Sequence, residues 1–340
     1  MKKWIKILPI AALLSMTVVA FAAEKPTVIR VGAVGGTSGK PYAGGINGIV
    51  QAQGLLQDEF KNDGIKIELI LFKGAGPAVN EALAAGKLDI ASIGDLPCVI
   101  GRAGGLKTRY ILGRDNGVNA YIIASPQSNI HTLQDLKGRR ISVSKGTKTH
   151  LTLNRLLVQA GLTEKDVKLV NLSSADASAA LATNNVDAII GGSDRPLVTQ
   201  GLAVDVYDTR KDPIKNKGRG ALLVTEEFAK KYPDIVKRVV KAHIRAAYWA
   251  SQEKNKEALI SIETKGGSSR QSVVTELAGQ NLKEKYNPLL NAQSIASFKE
   301  IVDFSVKNRL IRQKFDVDQW FDKSYSEAAL KELGLQNYWN

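Results

Sequence analysis

Polar and apolar residues alternate over 27–34, and two short apolar runs follow, 65–72 broken by Lys66 and Glu68 and 88–93 broken by Asp89 and Ser92. Between these runs, 46–60 carries apolar residues at helical spacing. Alternation or a short apolar run predicts a strand, and spacings of three and four predict a helix. A second helix is expected over 77–85, with Pro77 in its first turn and Gly86 past its end. Strands alternating with helices predict a parallel sheet with right-handed crossovers. A second set of the same kind follows, with strands at 141–144, 167–172 and 186–190 and helices at 149–160 and 175–183.

Two segments break this rhythm. Strand-like runs at 108–112 and 120–125 flank Gly113-Arg114-Asp115-Asn116-Gly117, as expected of a chain passing from one domain into another. After a strand at 204–207, the polar stretch 208–220 reads as the return crossing, and 221–225 rejoins the first domain as a strand. The remainder, 226–340, is mostly helical pattern punctuated by Gly266-Gly267, Asn287-Pro288 and Gly334. The expected plan is a discontinuous first lobe, 23–114 with 216–340, and an inserted second lobe, 115–215. Two crossings form a hinge, which suits a cleft that closes on a ligand.

Five apolar runs end in clusters of small and polar residues where a helix begins. They are Gly35-Gly36-Thr37-Ser38-Gly39, Gly74-Ala75-Gly76-Pro77, Gly94-Asp95-Leu96-Pro97, Lys145-Gly146-Thr147 and Gly191-Gly192-Ser193-Asp194. Free amides at the positive end of a helix bind anions without a catalytic side chain. In open α/β sheets that carboxyl edge is where ligands sit.

In the first cluster, Lys40 is followed by Pro41 and Val34 replaces the leading glycine, so it is not a nucleotide-binding P-loop. Thr37 and Ser38 are candidate ligand contacts, with Tyr42 as a lid. Gly76, Gly94, Asp95 and Leu96 are further candidates, and Asp95 or Gly94 also serves as a helix cap. At the fourth cluster Lys145, Gly146 and Thr147 offer charge, close backbone approach, and a hydroxyl beside an amide. Lys148 is expected to face solvent, and His150 to be either a ligand group or a residue of the cleft wall or core. Asp194 is a candidate cap, and Arg195 either grips an anion or pairs with a neighbouring carboxylate.

Composition narrows the setting. Lys2, Lys3 and Lys6, an apolar stretch to Ala20, and Ala20-Phe21-Ala22 form a cleavable export leader, 1–22. Cys98, the single cysteine, forms no internal disulfide and reads as a small buried hydrophobe, so an exported chain of this kind points to the bacterial periplasm. The net charge is +14, or +11 without the leader lysines. Basic residues fall singly or in pairs, which disfavours nucleic acid and leaves attraction for small anions. The three histidines, His131, His150 and His243, are too scattered for a metal cluster or a triad, and no nucleophile elbow is present. The expectation is a binding module and not an enzyme, with no cofactor and no metal.

The runs Glu81-Ala82-Leu83-Ala84-Ala85-Gly86-Lys87-Leu88-Asp89, Gly94-Asp95-Leu96-Pro97, Leu136-Lys137-Gly138-Arg139-Arg140-Ile141-Ser142-Val143 and Lys145-Gly146-Thr147 resemble the substrate-binding proteins of ABC importers for sulfonates, taurine and nitrate. That resemblance implies a type II periplasmic binding protein fold with two α/β lobes. It also implies a small organic anion in the interlobe cleft, aliphatic sulfonates leading, and delivery to an ABC transporter permease by a monomeric protein. It places contacts near Thr37 and Ser38, at Gly76, at 94–96, at 145–147 and near Asp194. The sequence departs from it where Gly191-Gly192-Ser193 replaces an aromatic and where the first loop is longer, which admits a bulkier or carboxylated ligand. An enzyme of the same fold that makes thiamine pyrimidine, or a sensing partner of another membrane protein, are the alternative readings.

Overall fold

The computed structural model describes residues 25–35, 41–191, 195–212 and 217–340. Residues 1–22, expected to be an export leader, and Thr37, Ser38 and Asp194 lie outside the described residues, as does the side chain of Arg195.

Two five-stranded sheets organise the chain. The first has the order β2-β1-β3-β10-β4, from β1 (Val28–Val34), β2 (Lys66–Phe72), β3 (Ile90–Gly94), β4 (Thr108–Val118) and β10 (Gly218–Thr225). The second has the order β7-β6-β8-β5-β9, from β5 (Tyr121–Ala124), β6 (Arg140–Ser142), β7 (Lys168–Val170), β8 (Ala188–Gly191) and β9 (Val204–Asp208). Four strands in each share one direction, while β10 and β5 run antiparallel to both of their neighbours. The sheets are therefore mixed, not parallel as the alternation predicts. β5 enters its sheet as the chain arrives from the first, and β10 as it returns, and sequence alternation does not fix the direction of a strand supplied by a crossing.

The sheets share an internal device. Arg30 on β1 donates from its backbone amide and guanidinium to Asp89, just before β3, and from Nη1 to the Gly86 carbonyl. Arg140 on β6 repeats this with Asp187, just before β8, and with the Asn184 carbonyl. Each pair ties a strand to the start of its central, parallel neighbour.

Alternation along strands builds a core on each face. On β10, Leu222 and Val224 pack with α1 (Ile46–Ala52), α2 (Leu55–Phe60) and α9 (Pro233–Ala250), while Ala221 and Leu223 face α3 (Ala75–Ala84), α4 (Asp95–Ala103) and α13 (Ala292–Lys307). On β8, Ala188 and Ile190 face α5 (Lys148–Gln159), and Ile189 faces α6 (Ser174–Ala182). α7 (Arg195–Thr199) leads to β9, and the tail adds α8 (Glu226–Lys231), α10 (Lys256–Glu263), α11 (Arg270–Leu277), α12 (Leu282–Lys285), α14 (Val317–Trp320) and α15 (Ser324–Leu333). Among the described residues no helix is long and apolar enough to cross a membrane.

Two further predictions need correction. The helix expected over 46–60 breaks at Gly54, whose φ of 62° is left-handed, so α1 and α2 are separate. The expected gap at 113–117 is strand: β4 runs through it against β10, with Asp115 at φ 46° and Gly117 at φ 68°. Turn-forming residues there mark an irregular ladder instead of its end. Cys98 is buried, as expected, and its thiol donates to the Asp95 carbonyl at 2.9 Å.

Candidate ligand-binding cleft

A cavity of about 560 Å³ opens between the two sheets' carboxyl edges. Four helix starts border it: Ala75, Gly76 and Pro77 of α3, Gly94 and Pro97 of α4, Thr147, Lys148 and Thr149 of α5, and Ser173, Ser174 and Ala175 of α6. Each helix leaves orphan amides in its first turn. Two of the four provide their own anion. Asp95 occupies the first turn of α4, its carboxylate accepting the Leu96 amide at 2.8 Å and the Arg219 amide at 3.2 Å. Asp176 sits in the first turn of α6, bonded to the cap Ser173. The starts of α3 and α5 carry no acid, and neither N-cap side chain bonds the helix. Their dipoles are left for a guest.

Charge reinforces this. Among the described residues, Lys73, Arg114, Lys145, Lys148 and Arg219 line the cavity against one carboxylate, Asp115. Asp115 is engaged, accepting from the Ile46 amide at 3.2 Å and from Arg114 Nη1 at 2.5 Å. Lys148 lies between the lobes, packed against Gly94 and Gly218 of the first. Burial lowers its ammonium below the ordinary lysine value, with Asp115 pulling the other way. A cation stripped of water in this way gains when an anion arrives.

The loop before α5 is held in place. Gly146 takes φ 75°, donates its amide to His150 Nδ1 at 3.1 Å, and sits under Pro77. With Nδ1 accepting, the other ring nitrogen donates to Glu164 Oε1 at 2.6 Å, and this bond leads the lowering of the Glu164 carboxyl. The Lys145 amide is bonded to Asn171 Oδ1 at 2.9 Å, and Thr147 Oγ1 to the Ser144 carbonyl at 2.6 Å. His150 is thus a loop anchor in the wall.

Of the residues expected at the site, Gly76, Gly94, Lys145 and Thr147 line this cavity. Tyr42 lines an adjoining chamber of about 370 Å³, its hydroxyl donating to the Gly48 carbonyl. Asp95 and Leu96 do not: both are fully buried beneath the α4 start, where burial raises the Asp95 carboxyl. Gly146 supports the loop and lines neither chamber. Lys148, expected in solvent, is central. Arg114, Asp115, Arg219 and the α6 start escaped the sequence reading, although Ser173 three residues before Asp176 is a legible cap signal.

The NMT1/THI5-like family matches residues 57–257. A protein of Escherichia coli (strain K12) named as an aliphatic sulfonates-binding protein is 29% identical over 317 residues, spanning 92% of this chain and 94% of that one. The crystal structure of the periplasmic sulfonate-binding protein SsuA from Methylobacillus flagellatus KT superposes with a TM-score of 0.78 at 27% identity, over 92% of this chain and 96% of that one. The alkanesulfonate-binding protein SsuA from Xanthomonas axonopodis pv. citri, bound to MOPS, gives 0.73 at 25% identity, over 89% and 100%. These likenesses establish the type II periplasmic binding protein fold, and with more than half its length matched the chain belongs to the NMT1/THI5-like family.

Proposed function

We propose that this chain is the periplasmic solute-binding component of an ABC importer and that it captures an organic anion, a sulfonate first among them. The observation that carries the reading is the interlobe cavity, where two helix starts without a carboxylate of their own meet five cations and one engaged acid. The sulfonate-binding names of the relatives favour the sulfonate group, whose three equivalent oxygens match converging amides. The leader at 1–22 exports the protein, which acts as a monomer and hands its cargo to a membrane permease. It binds and releases, without cofactor, metal or nucleic acid.

Closure works by summing donors. The start of α3 belongs to the first lobe, 23–114 with 216–340, and the start of α5 to the second, 115–215. Only the closed form brings both onto one guest, so binding shifts the open–closed balance. A thermal-shift panel of sulfonates, nitrate, phosphonates and carboxylates at low salt tests this. A ligand at a hundred times its Kd stabilises by about 2.7 kcal/mol. No response to any anion, with a response to a neutral or cationic solute, overturns the reading.

A further inference from the structure

The adjoining chamber shares Val34, Arg114, Asp115 and Lys148 with the anion cavity, so among the described residues only these side chains stand between the two. Its chemistry differs. Arg114 is engaged by Asp115, and Lys285 by Glu276 at 3.2 Å. Among the described residues Glu263 has no cationic partner. It receives one bond, from the Gly45 amide to Oε2 at 3.2 Å, and its Oε1 is buried without a partner. Burial and the neighbouring Asp115 raise its carboxyl to about 7, while Lys285 and Arg114 pull it down.

Asn119 repeats the pattern. It is buried, donates from Nδ2 to Glu276 Oε2 at 3.0 Å, and leaves Oδ1 without a partner. Two buried acceptors lining one chamber, both short of a donor, are costly unless something supplies it. The rest of the wall includes Tyr42, Val118, Val273, Leu277 and Tyr286, which suits a carbon chain.

We propose that this chamber is a second subsite for the same ligand and takes a protonated amine, so that the cargo is a zwitterion with its anionic head among the helix starts and its ammonium end beside Glu263 and Asn119. This rests on the anion reading above. An ammonium supplies donors to both orphan oxygens and the missing counter-charge to Glu263, and a hydroxyl supplies only the first.

Calorimetric titration of the purified mature protein with hexanesulfonate and its ω-amino and ω-hydroxy derivatives tests it. The amine should bind at least about tenfold tighter than the plain chain, and the alcohol should fall between. Glu263→Gln should bring the amine-to-alkane ratio close to one, and Asn119→Leu should shrink it. Equal affinities for amine and alkane overturn the proposal, as does a wild-type ratio kept in both variants. An alcohol as tight as the amine overturns the charge assignment. Circular dichroism and melting establish that each variant folds; if Glu263→Gln does not, the wild-type series and Asn119→Leu decide. Failure of all three sulfonates to bind overturns the anion reading itself, a result distinct from the others.

Discussion

Lys148 of the second lobe lies against Gly94 of the first, so closely that a methyl group added at Gly94 would stand 3.1 Å from the Lys148 Cβ. The contact seats the Lys148 stem against the start of α4, where Asp95 already satisfies the Leu96 amide, and leaves the ammonium partly desolvated. Lys148 lines both chambers.

Lys148→Met keeps the packing stem and removes the charge. A lost charged hydrogen bond costs about 2 kcal/mol, or roughly thirtyfold in affinity. Calorimetry should show that loss with no fall in melting temperature, because a desolvated cation is removed from the folded state. Unchanged affinity would take Lys148 out of the site.

Thr147→Asp places a carboxylate at the cap of α5. An acid cap favours the helix and repels an anionic guest. Anion binding should disappear in titrations while the circular dichroism spectrum and cooperative melting persist. Retained binding would remove the α5 start as an anion site.

Gly146→Ala tests the loop. Its φ of 75° disfavours any side chain, and a Cβ would meet Pro77 Cγ at 3.2 Å across the lobes. The strain should cost about 1–2 kcal/mol, seen as a lower melting temperature, with weaker ligand binding because α5 can no longer seat against α3. A wild-type melting curve would show that the loop relaxes freely.

Two buried groups give opposite pH dependences. His243, in α9, donates from Nδ1 to the Val239 carbonyl, and burial lowers its pKa to about 4. The unfolded chain binds this proton first, so stability falls as pH drops from about 6.5 to about 4, by up to about 3 kcal/mol. Glu263 is raised to about 7, so its folded form holds the proton longer and stability falls as pH rises from about 4.5 through about 7. Melting curves should show Glu263→Gln more stable than wild type near pH 8 and His243→Gln less sensitive to acid. A Glu263→Gln protein with no advantage in mild base would mean the carboxyl is ionised at little cost.

Strand–helix alternation and the clusters at 74–77, 94–97 and 145–147 were legible because they follow from local periodicity and turn chemistry. Thr147 and Gly76 could be found because a helix start is marked by its own residues. Arg114, Asp115 and Arg219 could not, since they stand on strands whose turn-like composition concealed an irregular ladder. Glu263, Asn119 and Tyr286 come from distant segments with no shared motif.

Taken alone, the chain settled two α/β sets and a preference for negative charge, both consequences of spacing and composition. Folding settled which donors remain for a guest. Asp95 fills one helix start from within, Lys148 turns inward instead of outward, and a carboxylate with an unpartnered oxygen waits in the adjoining chamber. Those outcomes depend on which groups meet in space, and for Lys148 and Glu263 that is fixed by packing between segments distant in the chain.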